Sequence, residues 1–342
     1  VIKVDYHRDL KQVQSDGQLA AWLSESNQRA PFDRFAWFQG LAEHCSLAPL
    51  IAVAREENDL AVLPLQGTGG HLQALSNWYT FRYRPLASRS EGLLQALAAD
   101  LAGKARRITL GGLPDEDRSA TRLETAFRNA GWRVRREACD TNHVLPVDGR
   151  NYAEYLVSRP GKLRTTLKRK SGKVETRVLD RFDADVWRAY ESIYAESWKP
   201  HEGSPAFLRA FAEAEGRAGR LRLGLALADG EPVAAQMWTV EHGTAWIHKL
   251  AHREAAKPLS PGSVLSAALF RHVIDMDRVN LVDFGTGDDP YKRDWMEIVR
   301  PRYRLDMFRP WSPLNWPHFG REFARGILGA GAQYLAATAK RG

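Results

Sequence analysis

Cysteine is nearly missing from this chain: Cys45 and Cys139 are the two among 342 residues. Two thiols so far apart build neither a disulfide framework nor a zinc site, and no metal is expected. Both are expected to be buried free thiols in a reducing cytoplasm. Long apolar runs are absent as well. No stretch approaches the roughly 20 residues that cross a bilayer. Val1 to Leu10 carries Lys3, Asp5, Arg8 and Asp9 and lacks the apolar heart of a signal peptide. These absences argue against a membrane-spanning protein and against a disulfide-stapled secreted one. What remains, 44% hydrophobic and 26% charged residues, is the balance of a globular chain long enough for two domains.

Charge is plentiful and unevenly spread. The net charge is +8. Between Ser158 and Arg181, nine basic residues (Arg159, Lys162, Arg164, Lys168, Arg169, Lys170, Lys173, Arg177, Arg181) face only Glu175 and Asp180. A patch of that density suits phosphates, whether on a cofactor, an anionic membrane or a nucleic acid.

An internal echo organises the rest. Leu50 to Arg55, a polar turn and Leu60 to Leu65 form one pair of β-runs. Leu221 to Leu227, Asp229-Gly230 and Pro232 to Trp238 form another, with Asp-Gly as a hairpin signal. Each pair is followed by aromatic-rich sequence, a helix (Gly92 to Gly103; Gly262 to Asp277) and a closing strand (Arg107 to Gly112; Asn280 to Gly285). Ile51 to Ile108 spans 57 positions and Leu223 to Leu281 spans 58, which predicts two copies of one fold. Loop residues from Asp140 to Asn151 suggest the boundary. The expected division is an N-terminal lobe over 1–145, a C-terminal lobe over 150–305 and an aromatic and basic helical segment over 306–342. A helix over Ala184 to Trp198 carries Trp187, Tyr190, Ile193, Tyr194 and Trp198 as a core stripe.

The second copy holds the sharper chemistry. Strand Thr244 to Leu250 leads through a loop to Ser260-Pro261-Gly262. Serine suits the N-cap, proline the first helical position, and glycine close backbone approach. Such a helix start can hold a pyrophosphate. The next strand opens into Asp283-Phe284-Gly285-Thr286-Gly287-Asp288, then Tyr291-Lys292, at a strand end where open α/β sheets place ligands.

Gly230-Glu231-Pro232-Val233-Ala234, the Ser260 helix start and Asp283-Phe284-Gly285-x-Gly287-Asp288-x-x-Tyr291-Lys292-x-x-Trp295 together resemble the CelD/BcsL-type acetyltransferase family. That family lies within the GNAT superfamily and is related to the FemX-like transferases. Ser197-Trp198, the basic run from Arg164 to Lys173, Leu63-Pro64-Leu65 and Ala130-Gly131-Trp132 extend the likeness over nearly the whole chain. The resemblance implies an α/β chain of tandem GNAT folds, each a mixed, mainly antiparallel sheet flanked by helices, with acyl-CoA as co-substrate of the second. The usual GNAT phosphate-loop signature, Q/R-x-x-G-x-G/A, does not occur, so the donor rests on the resemblance.

Thioester aminolysis needs a neutral amine, a stabilised oxyanion and a protonated leaving thiol. His248 is the candidate base, with Asp283 and Asp288 to orient it or to bind the incoming ammonium. Tyr291 is the candidate acid for the thiolate, and Lys292 serves the oxyanion or a donor phosphate. Lys249 and Leu250 on the strand, and Ser260, Gly262 and Ser263 at the helix start, are the expected donor contacts.

Phe308, Trp311, Trp316 and Phe319 beside Arg302, Arg304, Arg309 and Arg321 suit a membrane interface. The resemblance extends to bacterial ceramide synthases, so the favoured acceptor is a lipid long-chain base, with peripheral contact at an anionic inner membrane and no nucleic acid. Three alternatives stay open: an acetyltransferase acting on an exopolysaccharide or amino sugar, an aminoacyl-tRNA-dependent transferase and a non-catalytic envelope scaffold.

Overall fold

The computed structural model describes residues 1–310 other than Gly69 and Arg89. Its first half runs β1 (Lys3–His7), α1 (Leu10–Ser15), α2 (Gly17–Trp22), α3 (Phe35–Cys45), β2 (Pro49–Glu56), β3 (Asp59–Gln66), β4 (His71–Ala74), β5 (Leu86–Ala87), α4 (Glu91–Leu101), β6 (Arg107–Leu113), α5 (Ser119–Asn129) and β7 (Arg133–Pro146). The second half runs α6 (Tyr152–Val157), α7 (Gly161–Lys170), β8 (Glu175–Leu179), α8 (Ala184–Ala195), α9 (Pro205–Arg217), β9 (Leu221–Ala228), β10 (Glu231–Glu241), β11 (Thr244–His252), α10 (Pro261–Arg271), β12 (Leu281–Thr286), α11 (Pro290–Trp295) and β13 (Ile298–Phe308).

The expected repeat is present in this order. Hairpins β2–β3 and β9–β10, helices α4 and α10, and closing strands β6 and β12 occupy equivalent places. Each half also contains one parallel pair, β4 with β6 and β11 with β12, while the other described pairings are antiparallel. The fold is therefore the expected mixed α/β class, a mainly antiparallel sheet with helices on both faces.

The strands form a single sheet, in the order β1-β2-β3-β4-β6-β13-β7-β12-β11-β10-β9-β8. β13, from the second half, is inserted between β6 and β7 of the first, and β7 in turn pairs with β12. The loop reading of Asp140 to Asn142 is thus corrected: these residues lie inside β7, opposite Arg300 to Arg302 of β13. Their polar side chains are answered within the fold. Asn142 donates to Asp283 at 2.7 Å, and Asp140 accepts from the Gly287 N–H at 3.0 Å. The turn signals hold only after Pro146, at Asp148 and Gly149, both with positive φ.

Three further expectations change. The α8 stripe of Trp187, Tyr190, Ile193 and Tyr194 is buried, but the helix stops at Ala195 and Trp198 lies beyond it, 50% exposed. Cys45 is half-buried and Cys139 exposed, so the thiols are free without both being buried. Residues 306–308 end β13, and the aromatic and basic segment from Trp311 onward lies outside the described residues.

One core joins the halves. Phe32, Trp37, Ile51 and Leu60 pack in the same cluster as Trp187, Tyr190, Met237 and Trp246. At its edge Arg34, at the start of α3, bonds Glu241 of β10 at 3.1 Å and lies 3.4 Å from Glu215 of α9. Burial pushes the Glu241 carboxyl up to about 7 from its ordinary 4.5; Arg34 opposes the shift, while Glu215 reinforces it. A raised carboxyl contributes stability below its unfolded value, and that contribution is lost as pH rises through about 7. Denaturant unfolding at pH 5.5 and pH 8 should therefore show a loss on the order of 1–3 kcal/mol on the alkaline side. The Glu241→Gln variant should lack that loss.

Candidate functional site

The site begins where two strands part. β11 and β12 pair from Thr244–Leu281 to Trp246–Asp283 and no further, although β11 runs on to His252 and β12 to Thr286. A bulge at His248 shifts the β10–β11 register, with Trp238 opposite Ile247 and Met237 opposite Lys249. Parting leaves the β12-facing edge of β11 without a ladder partner, and the bulge re-aims its side chains.

On one face of this wedge stands α10. Ser260 holds the cap position, with φ of +52°, but its hydroxyl makes no capping bond. The N–H groups of Gly262 and Ser263 are thus left for a ligand, beside the positive end of the helix dipole. A Cβ at Gly262 would meet nothing within 4 Å, which marks the open side. Gln236 of β10 ties the helix start down. It donates to the Gly262 carbonyl at 3.1 Å and to Ser266 at 2.8 Å, and is itself held by the Trp238 indole at 2.9 Å. A groove of about 570 Å³ runs along this surface, lined by Leu250, His252, Lys257, Ser260, Gly262 and Ser263, with Tyr291 on the far wall. Burial pushes the Tyr291 phenol up, so it keeps its proton.

The opposite face carries an aromatic and acidic cluster. The Lys249 ammonium pairs with Glu202 at 2.8 Å and lies 4.6, 4.7 and 5.3 Å from the ring centres of Trp78, Tyr79 and Tyr194. Glu202 also accepts from the Tyr79 hydroxyl at 2.6 Å and the Tyr190 hydroxyl at 3.3 Å. Burial lowers Lys249, with Glu202 opposing, and brings Lys199 down to about 8, helped by the charges of Lys249 and Lys292. Beside this cluster a cavity of about 620 Å³ opens between α8, α9 and residues 199–202, lined by Trp187, Tyr190, Tyr194, Lys199, Glu202 and Leu208.

Of the ten expected site residues, five (Leu250, Ser260, Gly262, Ser263 and Tyr291) meet in the groove. Lys249 is across the sheet, with Glu202. His248 occupies the bulge among the rings of Phe32, Phe81 and Phe211, its Nε2 2.8 Å from the Thr239 hydroxyl. Burial, with Arg34 and Lys249 adding, pushes it down to about 3. It is a neutral ring with little affinity for a proton at physiological pH.

Asp283 is buried and satisfied by Asn142 and by the Gly285 N–H at 2.8 Å; burial raises its carboxyl. Asp288 is exposed and bound by Arg293 at 2.7 and 2.8 Å, which holds its carboxyl low, and it contacts His143 at 3.2 Å. Lys292 is buried, donates to the carbonyls of Thr286 and Gly287, and approaches Asp289 at 3.9 Å; burial lowers it. Its charge holds the turn after β12. Glu202 and Tyr79 had no sequence signal, because Tyr79 comes from the other half of the chain and Glu202 from an irregular loop, while Tyr190 read as part of the α8 core stripe.

Residues 161–293, less than half of the chain, match the family described as acetyltransferase (GNAT) domain. No curated protein matches the sequence. Among solved structures, FemX superposes with a TM-score of 0.62 at 10% identity, covering 92% of this chain and 99% of its own. The C-terminal domain of a putative lysylphosphatidylglycerol synthetase from Agrobacterium fabrum gives 0.58 at 11%, covering 89% and 93%. A tandem GNAT protein from the clavulanic acid biosynthesis pathway gives 0.53 at 12%, covering 89% and 98%. At such identities the likeness is one of fold. The matched domain is that of an N-acyltransferase enzyme.

Because Lys292 anchors two carbonyls and has little exposure, Lys292→Met is expected to cost about 1–3 kcal/mol of stability. Urea unfolding would show it as a lowered midpoint with an unchanged slope.

Proposed function

We propose that the chain transfers an acyl group from acyl-CoA to the amine of an acceptor with an apolar tail, a lipid long-chain base in the first instance. The observation that carries the proposal is the wedge between β11 and β12, with an anion-ready groove on one face and an aromatic cavity with a carboxylate on the other. The pyrophosphate of the donor would rest on the Gly262 and Ser263 N–H groups with Lys257 nearby, and the pantetheine would follow Leu250 to His252. Its thioester would then reach the parted strands, where N–H groups of β11 beyond Trp246 have no β12 partner. A preorganised N–H donor there stabilises the oxyanion of the tetrahedral intermediate.

From the other face, the cavity walls of Trp187, Tyr190, Tyr194 and Leu208 suit an apolar chain, and Glu202 suits its ammonium head. Glu202 would take one proton from the ammonium. The free amine attacks the carbonyl carbon, the C–N bond forms and the C–S bond breaks. The departing sulfur takes a proton from Tyr291, which is restored from the amide nitrogen through solvent. His248, expected as the base, holds a proton too weakly for that task; its part is to shape the bulge. Lys292 and Asp283 act by fixing β12 and the turn after it.

Calorimetry with acetyl-CoA and palmitoyl-CoA, followed by thiol release on adding a long-chain base, tests this reading. Tighter palmitoyl-CoA binding and base-dependent release are expected; acetyl-CoA preference with release driven by glucosamine would overturn the lipid acceptor. Gly262→Asp, which has room for its side chain, should weaken CoA binding at least roughly tenfold by placing a carboxylate where the phosphates sit. Glu202→Gln should lower kcat by about 100-fold, in the range of a lost general base, with donor binding unchanged.

A further inference from the structure

We infer that the outer face of α7, together with exposed apolar residues at the α6–α7 corner, docks the protein on an anionic lipid surface beside the donor groove. The inference rests on the acyltransferase reading only for its purpose: a long-chain donor or acceptor resides in such a surface.

The inner face of α7 is fixed. Leu163 and Leu167 are buried, and Leu163 also lines the donor groove. The outer face is cationic. Lys162, Lys168 and Arg169 on the helix and Lys173 in the turn that follows it are exposed, and among the described residues none of them has an ion-pair partner, in contrast to Arg159 and Arg177. A row of unpaired cations keeps its full attraction for an anionic surface, since no carboxylate has to be given up.

Charge alone would fit a nucleic acid equally well. The corner supplies the difference. Val157 ends α6 and is 70% exposed, and Ile298 and Val299 open β13 at 40% and 46% exposed. The two places adjoin. Arg159, two residues after Val157, donates to the carbonyls of Trp295 and Met296 and pairs with Glu297, the residue before Ile298. Apolar side chains beside cations are the pattern of a surface that rests in the headgroup layer, and a polyphosphate backbone offers them nothing.

Vesicle sedimentation with the whole chain tests this, without acyl-CoA or amine. Vesicles of equal parts phosphatidylcholine and phosphatidylglycerol should bind, and phosphatidylcholine alone should not. Lys168→Gln/Arg169→Gln/Lys173→Gln should weaken binding on the order of 100-fold, at roughly fivefold per cation. Val157→Ser should weaken it roughly tenfold. Calorimetric affinity for CoA and the melting temperature should not move, since none of the four lines the groove. The single variant Lys168→Gln, expected roughly fivefold weaker, serves if the triple variant melts early.

Unchanged vesicle binding by the triple variant would overturn the inference. So would a fall in its CoA affinity, which would assign the cations to the donor's phosphates. Wild-type binding to RNA but not to vesicles would assign the face to nucleic acid. A failed acyltransferase assay would leave vesicle binding as measured, and failed vesicle binding would leave the acyltransferase reading untouched.

Discussion

The structure depends on the antiparallel pairing of β7 with β13. Eleven residue pairs, from Val144–Ile298 to Arg133–Phe308, join a strand that closes the first half of the chain to one that closes the second. Without this ladder there would be two open sheets, each with an unpaired edge. With it, β7, which also pairs with β12, is tied into the rest of the sheet, and one wall of the wedge is held by the other half of the molecule. The polar chain through it is continuous. Arg302 of β13, almost fully buried, donates to Asn142 of β7 at 2.6 Å and to Glu116 at 3.1 Å, while Asn142 donates to Asp283 of β12. Glu116 answers the charge of Arg302, and the Asn142 amide with the Gly285 N–H satisfies Asp283, which is what keeping such groups inside requires.

The bulge at His248 divides the labour at the wedge. Leu250 faces the groove of the α10 helix start, whereas Lys249 faces Glu202 and its aromatic surround. Neighbouring residues of one strand thus face opposite surfaces, and the sheet itself becomes the partition between the groove and the aromatic cavity. The first half adds Trp78 and Tyr79 to the cluster around Glu202 and Lys249. Tyr79 donates to Glu202 and receives the Ser204 N–H at 2.8 Å, so the loop bearing the carboxylate is positioned from across the lobe boundary.

Local patterns made much of this visible in the sequence. The hairpins with their turn residues, the helix start after Ser260 and the spacing of 57 and 58 positions all report short-range physics, and each appears close to its expected place. The exchange of β13 was hidden because strand order is a long-range property. For the same reason Asp140 to Asn142 read as a loop: polar residues in mid-sheet look like turn residues until their partners are known. The groove position of Gly262 and Ser263 was legible because a helix start is a local feature. Lys292, Asp283 and His248 were read as chemistry because they are titratable. Only their burial and their hydrogen bonds distinguish an anchor from a reagent. Glu202 had no local mark at all.

The insertion of β13 also sets an order of events during synthesis. β6 and β7 are separated in the finished sheet by a strand that begins at Ile298. The first half can therefore leave the ribosome, form its hairpin and helices, and still lack the strand that lies between two of its own. Its edges stay open until nearly all of the second half has emerged. Contacts this distant in sequence carry a large loop-closure cost and slow the last step of folding. The halves should thus mature together, with the completed wedge among the last features to form.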